Sequence, residues 1–192
     1  MSKLVTSISL FVFFFAFQNS QAQDSFYGKA YFGTSSAALI TKRGFVGGPG
    51  YDVERFREFG FLIGKELNKK WALETGVNLA TANIFISSSI VTDIYVTEYK
   101  YQMLTFPLLM KYSLSSNIYI NGGPMLDIQS SERTSIDQSG IGYFIGIGAQ
   151  HYFNKIGVFV NPHLKRHAAI SFDSSNSNLT ELGVQFGVAY KF

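Results

Sequence analysis

Three histidines offer the clearest test for metal chemistry in this sequence. His163 and His167 have a four-residue spacing that on a helix would bring two imidazoles to one face, where they could bind a metal ion. The residues around them alternate as in a strand, where this spacing separates two side chains by roughly 13 Å, too far to share an ion. We therefore predict no metal site and no cofactor. His151 is expected at a strand end, in an interfacial position.

A second candidate for chemistry is the set of His167, Ser171 and Asp173, near the end of the same predicted strand. A serine, a histidine and an acid can form a hydrolytic triad, which here would meet lipid on the wall of the protein. A triad requires a defined geometry, however, and Ser and Asp are also common loop residues. We predict that the protein is not an enzyme and has no catalytic residues, with a wall-mounted lipid hydrolase as an alternative.

The composition indicates a membrane protein built from strands. Apolar residues make up 46% of the chain and charged residues 15%, whereas soluble domains have about 25% charged residues. No apolar run reaches the ~18 residues that a spanning helix needs. The absence of cysteine excludes disulfides and a lipid-modified cysteine. The net charge of +3 comes from scattered basic residues, so no nucleic-acid partner is expected.

The amino-terminal segment has the pattern of a secretory signal peptide. Lys3 precedes an apolar stretch at 4–17, and the small residues Ser20 and Ala22 occupy the positions required for cleavage. A membrane anchor would need a longer apolar run. We predict cleavage between Ala22 and Gln23, so that residues 1–22 are the signal peptide and residues 23–192 form one domain.

Alternation with a period of two predicts strands throughout the rest of the chain. Eight are expected, and short connections alternate with long ones, as in barrels of the bacterial outer membrane with both termini in the periplasm. The predicted fold is all-β: an eight-stranded antiparallel up-and-down transmembrane β-barrel of the OmpA/OmpX type. Its predicted strands are 25–34, 55–67, 71–82, 95–112, 117–129, 139–153, 156–170 and 179–192.

Two irregularities are expected in these strands. In the strand at 95–112 the apolar residues change from odd to even positions near Met103, which predicts a bulge there. Pro107 and Pro124 lack a ladder donor and are expected at bulges or other strand irregularities.

The polar face of the predicted strands is expected to line the lumen. A soluble barrel would carry many Lys and Glu on its outer face, whereas this polar face is rich in small residues that suit a narrow interior. With the apolar face against outer-membrane lipid, the inward charges are expected to pair and plug the barrel, and a narrow channel for small solutes is the alternative. The predicted lumen charges are Glu58, Glu66, Glu74, Asp127, Lys111, Lys165 and Lys191.

Aromatic residues are expected to form belts at the two membrane interfaces, because amphipathic rings favour the headgroup level. The predicted girdle consists of Trp71, Tyr112, Tyr119 and Phe153 at the periplasmic rim and Tyr95, Tyr99 and Tyr143 at the outer rim.

Four segments carry a family resemblance: YQMLTFPLLMKYSL at 101–114, NIYINGGPMLDI at 117–128, GIGYFIGIGAQHYF at 140–153 and the closing LGVQFGVAYKF. Together they resemble the PorT-like outer membrane protein β-barrel domain family of Bacteroidetes-type bacteria. Val188, Tyr190 and Phe192 resemble the carboxyl-terminal signal that such barrels present to the barrel assembly machinery. The resemblance implies a non-enzymatic outer-membrane protein with a structural role or with loops that bind a ligand at the cell surface. It names no ligand or protein partner.

Overall fold

The computed structural model describes residues 26–41, 50–90, 93–130, 137–172 and 177–192. The predicted signal peptide and its cleavage site at Ala22 and Gln23 lie outside these residues. The strands are β1 (Phe26–Thr41), β2 (Gly50–Glu66), β3 (Trp71–Ile90), β4 (Asp93–Ser113), β5 (Ile118–Gln129), β6 (Gly140–Phe153), β7 (Ile156–Ser171) and β8 (Ser177–Lys191). Among the described residues, no helix has the length and apolar character needed to cross a membrane.

The eight strands form one closed antiparallel barrel in chain order. β8 returns to β1 along its whole length, from Tyr27 paired with Lys191 to Thr41 paired with Ser177. Closure pairs both edges of the sheet, so neither is left exposed. The predicted fold class is confirmed.

Side chains alternate between the lumen and the outer surface, as the sequence pattern predicts. In β6, Phe144 is buried inside the barrel, whereas Ile145 and Ile147 are 61% and 54% exposed on the outside. The outer face is therefore apolar and the inner face holds most of the polar groups, which is the reverse of a soluble protein.

The first four strands extend further than predicted. β1 continues to Thr41 and β3 to Ile90, where loops are expected from residue 35 and residue 83. These segments lack a continuous alternation of apolar residues in the sequence, although Ile40 is exposed on the outer face of β1, and sequence reasoning therefore interprets them as loops. They still pair as strands, because their inner residues pack on one another.

The predicted bulge near Met103 is wrong. The register between β3 and β4 continues without a shift from Leu79 opposite Leu104 to Thr81 opposite Gln102. Met103 and Tyr101 are buried in the lumen, so the apolar odd-numbered residues fill the interior and do not face lipid. The register shifts lie elsewhere, between Glu54 and Arg57 of β2 and opposite residues 141–143 of β6.

Pro107 and Pro124 interrupt the hydrogen-bond ladder without moving the register. Pro107 has no paired residue in β3, where the ladder skips from Thr75 to Asn78. Pro124 has none in β4, although it pairs with Tyr143 of β6. The missing donors explain both gaps.

Inward aromatic rings lie on glycines of the neighbouring strand. Tyr27 is opposite Gly64, Tyr31 opposite Gly60, Tyr119 opposite Gly148, Tyr152 opposite Gly157 and Phe159 opposite Gly187. A β-carbon added at Gly148 would lie 2.2 Å from Cζ of Tyr119. The glycines therefore provide the space that lets large rings fill a lumen of eight strands.

We expect Gly148→Ala to destabilise the barrel by about 1–3 kcal/mol, because the buried Tyr119 ring must move to admit the methyl group. Urea unfolding in detergent micelles, followed by the gel mobility of unboiled samples, measures this. Gly28→Ala is the matched control, since its β-carbon would make ordinary contacts at 3.5 Å with Phe61. Equal stability of the two variants would contradict the role of the glycine.

Candidate functional site

The lumen contains three groups of buried side chains, stacked from the end with the short turns to the end with the long loops. The lower cluster consists of Tyr27, Lys29, Glu74, Lys111 and Tyr119. The upper cluster consists of Glu58, Asp127, His163, Lys165, His167 and Glu181. The apolar cap consists of Phe56, Ala80, Ala82, Ile84, Tyr101, Met103 and Leu179.

The lower cluster is organised around one carboxylate. Lys29 Nζ lies 2.5 Å from Glu74 Oε1, and the Tyr27 hydroxyl donates a hydrogen bond to the same oxygen at 2.7 Å. Lys111 Nζ instead donates to Oε1 of Gln150 at 2.7 Å. Two buried lysines therefore share the neighbourhood of one buried acid.

The upper cluster is organised around Lys165, which pairs with both Glu58 and Glu181. Its Nζ lies 2.7 Å from Glu181 Oε1. Polar side chains satisfy the acids further: Asn78 Nδ2 donates to Glu58 at 2.7 Å and Gln185 Nε2 donates to Glu58 at 3.0 Å. Such hydrogen bonds are what makes a buried charge tolerable.

Two histidines complete the upper cluster. His167 Nδ1 lies 3.0 Å from Asp127 Oδ2, and its Nε2 lies 3.5 Å from Glu181 Oε1. His163 Nε2 lies 3.8 Å from the same Glu181 oxygen. Three carboxylates thus face one lysine and two imidazoles, and Glu181 connects the two histidines that the strand separates.

A register shift in β7 contributes to this arrangement. Ala168 has a positive φ of 45°, and both His167 and Ala168 are buried although they are adjacent in the chain. Asn178 Nδ2 donates to the carbonyl oxygens of both residues. The irregular backbone is therefore satisfied by a neighbouring side chain.

Side chains close the lumen within the part of the chain that the structure describes. The apolar cap covers the upper cluster, and Gln138 Oε1 accepts a hydrogen bond from the Leu179 amide at 2.7 Å beside it. Between the two polar clusters, next to Tyr31 and Phe144, the free volume is about 10 Å³, about that occupied by one water molecule. The described side chains therefore fill this part of the interior almost completely.

Five of the predicted lumen charges, Glu58, Glu74, Asp127, Lys111 and Lys165, lie buried in the barrel. The other two, Glu66 and Lys191, lie at the rim of the short-turn end, 3.4 Å apart and more than one-third exposed. Sequence reasoning leaves Glu181 and both histidines out of the set. Their strand parity already indicates the inner face, but their convergence depends on pairing between β7 and β8.

The candidate triad is not assembled in the described residues. His167 faces Asp127 and Glu181 inside the barrel and does not face lipid on the wall. Ser171 ends β7, and Asp173 lies outside the described residues. The described residues also contain no cluster of three or more His, Cys, Asp or Glu side chains suited to a metal ion.

The predicted aromatic girdle needs one correction. Trp71 and Tyr112 contact each other on the outer face, with ring centroids 4.6 Å apart, and Phe153 and Tyr143 are exposed. Tyr119 instead points into the lumen, because it lies on the inner face of β5 opposite Gly148. The side chains of Tyr95 and Tyr99 are outside the described set.

On β1 to β4 the outer face changes from apolar to polar between two neighbouring rows of paired residues. Phe32, Phe59, Leu79 and Leu104 are consecutive partners across β1 to β4. The next outward row, towards the long loops, is Thr34, Arg57, Thr81 and Gln102. On β1 to β4 the continuous apolar part of the outer face therefore ends at the first row, and the strands continue towards the long loops with a mainly polar outer face in which Ile40 is an exposed exception.

Comparison with known proteins identifies the same architecture. The family described as "Outer membrane protein beta-barrel domain" matches residues 7–192. The outer membrane protein AlkL in lipid bilayers is similar, with a TM-score of 0.54 and 16% identity over 91% of this chain and 93% of that one. The attachment invasion locus protein Ail of Yersinia pestis has a TM-score of 0.44 and 11% identity over 88% and 99%. No curated protein matches this chain.

We expect Lys165→Met to lower the free energy of unfolding by about 3–5 kcal/mol, because Glu58 and Glu181 stay buried without their shared cation. Lys191→Met is the matched control at the exposed rim pair and is expected to cost about 0–1 kcal/mol. Urea unfolding in micelles measures both.

A double variant keeps this test informative if Lys165→Met fails to fold. Adding Glu58→Gln removes one of the uncompensated charges and is expected to restore part of the stability. A Lys165→Met protein as stable as Lys191→Met would show that the buried cation does not hold the cluster together.

Proposed function

This chain belongs to the outer membrane protein β-barrel domain family, and we propose that it is a non-enzymatic barrel with a closed lumen. We propose further that its extracellular surface binds a ligand. The observation that carries the proposal is the extension of β1 to β4 beyond the lipid-facing surface. A bacterial outer-membrane barrel has its short turns in the periplasm and its long loops outside. The extension therefore projects from the cell.

The β3 and β4 hairpin forms the longest part of this projection. About ten residues of each strand, 81–90 and 93–102, lie beyond Leu79 and Leu104. At ~3.3 Å per residue and a tilt of ~45°, they reach ~20 Å above the lipid boundary. This height takes the hairpin clear of the hydrocarbon region.

The projecting part of the β3 and β4 hairpin has a packed inner side. Ala82, Ile84 and Tyr101 of the apolar cap fill its inner side. Its outer side is mainly polar: Gln102 and Lys100 are exposed, and Asn83 is half-buried, as is the one aromatic residue described there, Phe85. Amide and hydroxyl groups on a rigid support suit hydrogen bonding to a saccharide surface.

The two alternative functions have less support. A channel requires an open path, whereas ion-paired clusters and the apolar cap fill the described lumen. A wall-mounted hydrolase requires His167 at the lipid surface, whereas its ring contacts Asp127 and Glu181 inside. We propose that purified protein gives no step conductance in planar bilayers and releases no fatty acid from phospholipid.

Targeting and assembly follow from the same proposal. The signal peptide would be removed between Ala22 and Gln23, and mass spectrometry of protein from outer membranes tests this site. The exposed side chains of Val188, Tyr190 and Phe192 on the outer face suit recognition by the barrel assembly machinery. The four segments that resemble PorT-like proteins support placing this chain among the PorT-like members of the family, which occur in Bacteroidetes-type bacteria.

We expect Asn83→Cys on intact cells to react with a membrane-impermeant maleimide, because residue 83 lies beyond the lipid boundary. Val77→Cys, on the same outer face of β3 but below Leu79, is the matched control and is expected to stay unlabelled. The wild-type chain has no cysteine, so background labelling of the barrel is absent. Absence of labelling at residue 83 would contradict the proposed orientation, and labelling at residue 77 as well would contradict the proposed boundary.

Shortening the hairpin tests the surface function. A variant in which residues 83–100 are replaced by a two-residue turn keeps the lipid-facing strands, and unboiled gel mobility checks that it folds. We expect cells that display the full chain to adhere to an immobilised polysaccharide panel and cells with the shortened hairpin to lose that adhesion. Unchanged adhesion of the shortened variant would refute the role of the hairpin.

A further inference from the structure

The periplasmic end of the barrel opens into a cavity of about 420 Å³, which we call the basic mouth. Lysine is the main charged residue type in its lining. Lys69 and Lys70 come from the turn between β2 and β3, Lys191 from the end of β8 and Lys111 from β4. Glu66 is the one acidic side chain among the described lining residues, and it pairs with Lys191 at 3.4 Å.

Lys111 lies at the inner end of this cavity and is 4% exposed. Among the described residues it has no carboxylate within ion-pair distance, and its Nζ donates to the neutral Gln150 side chain at 2.7 Å. The Nζ atom also lies 4.6 Å from the Tyr119 ring centroid and 5.2 Å from that of Tyr27. These ring faces attract a cation but carry no compensating charge.

The nearest buried acid already has a cationic partner, although among the described residues only one of its two oxygens is hydrogen-bonded. Glu74 Oε1 accepts hydrogen bonds from both Lys29 and Tyr27. Lys29 Nζ lies 4.9 Å from the same Tyr119 ring that Lys111 faces, so two ammonium groups approach one ring. One buried carboxylate thus serves two buried ammonium groups, and the cation in excess is costly unless a further anion is close.

We propose that the basic mouth binds a phosphate-type oxyanion, with Lys111 as the contact at its inner end and Lys69 and Lys70 at its entrance. The polar lining supplies donors from several directions, since Ser113, Ser115 and Ser116 also border the cavity. Lysine ammonium and serine hydroxyl groups suit the several oxygens of a phosphate, for which lysine acts as a point charge.

The site is independent of the proposed surface ligand, because it faces the periplasm and uses none of the hairpin residues. Its phosphate has two sources: a soluble phosphate ester, or the headgroup of a phospholipid in the inner leaflet. Both share the same contact with Lys111. Soluble probes and lipid-containing micelles distinguish them.

The experiment uses folded protein in an alkyl maltoside, titrated calorimetrically with inorganic phosphate, glycerol 3-phosphate or micelles containing phosphatidylglycerol. Lys111→Met removes the charge with little change in length, and we expect it to weaken binding about tenfold or more. Lys155→Met is the matched control: Lys155 is an exposed lysine in the turn between β6 and β7, outside the described lining of the cavity. Lys111→Arg is expected to retain binding.

The outcomes separate the source of the phosphate from the existence of the site. Saturable binding of a soluble probe that Lys111→Met weakens supports a soluble ester, and the same dependence seen with lipid micelles alone supports a headgroup. Equal weakening by Lys111→Met and Lys155→Met would show only general attraction to a basic rim and would overturn the proposal. Absence of saturable binding to all three probes would overturn it too.

Discussion

The structure depends on pairing every strand edge within the chain. Water is absent from the bilayer core, so unpaired backbone N–H and C=O groups there would each cost several kcal/mol. The pairing of β8 with β1 from Tyr27 and Lys191 to Thr41 and Ser177 meets this requirement. Eight strands, however, enclose a lumen so narrow that side chains fill most of it. The contents of the lumen are therefore determined by the closure of the sheet.

Two kinds of contact fill the lumen: aromatic rings packed over glycines, and buried ion pairs. Aromatic rings such as Tyr31 and Tyr119 lie over glycines of the next strand, which provides apolar volume without collision. Ion pairs such as Lys165 with Glu58 and Glu181 occupy the rest, where each charge has several partners. A buried pair of this kind adds little net stability compared with apolar packing, yet its disruption is expensive. The clusters therefore favour one register of the strands over others.

The two ends of the barrel differ in a way that bears on function. At the outer end the apolar cap, including Phe56 and Met103, excludes water and supports strands that continue beyond the lipid. At the periplasmic end a cavity of about 420 Å³ reaches as far as Lys111. The outer end is thus closed by side chains, whereas the other end has an open cavity in which we propose an oxyanion site. This difference between the two ends fits a protein that makes separate contacts on the two sides of its membrane.

The sequence by itself determined the number of strands, their order along the chain and the apolar face of most of them, because alternation with a period of two is a local property. It also placed Glu58, Glu74, Asp127, Lys111 and Lys165 inside. The tertiary structure decided what these residues meet. His163 and His167 are separated along β7, and they meet Glu181 because of the register with β8. Tyr119 lies on the same face of β5 as Asp127, and Gly148 opposite provides the space for its ring; β3 extends to Ile90 because β4 and the apolar cap support it. Such pairings join residues distant in the chain, and no local pattern carries the register that brings them together.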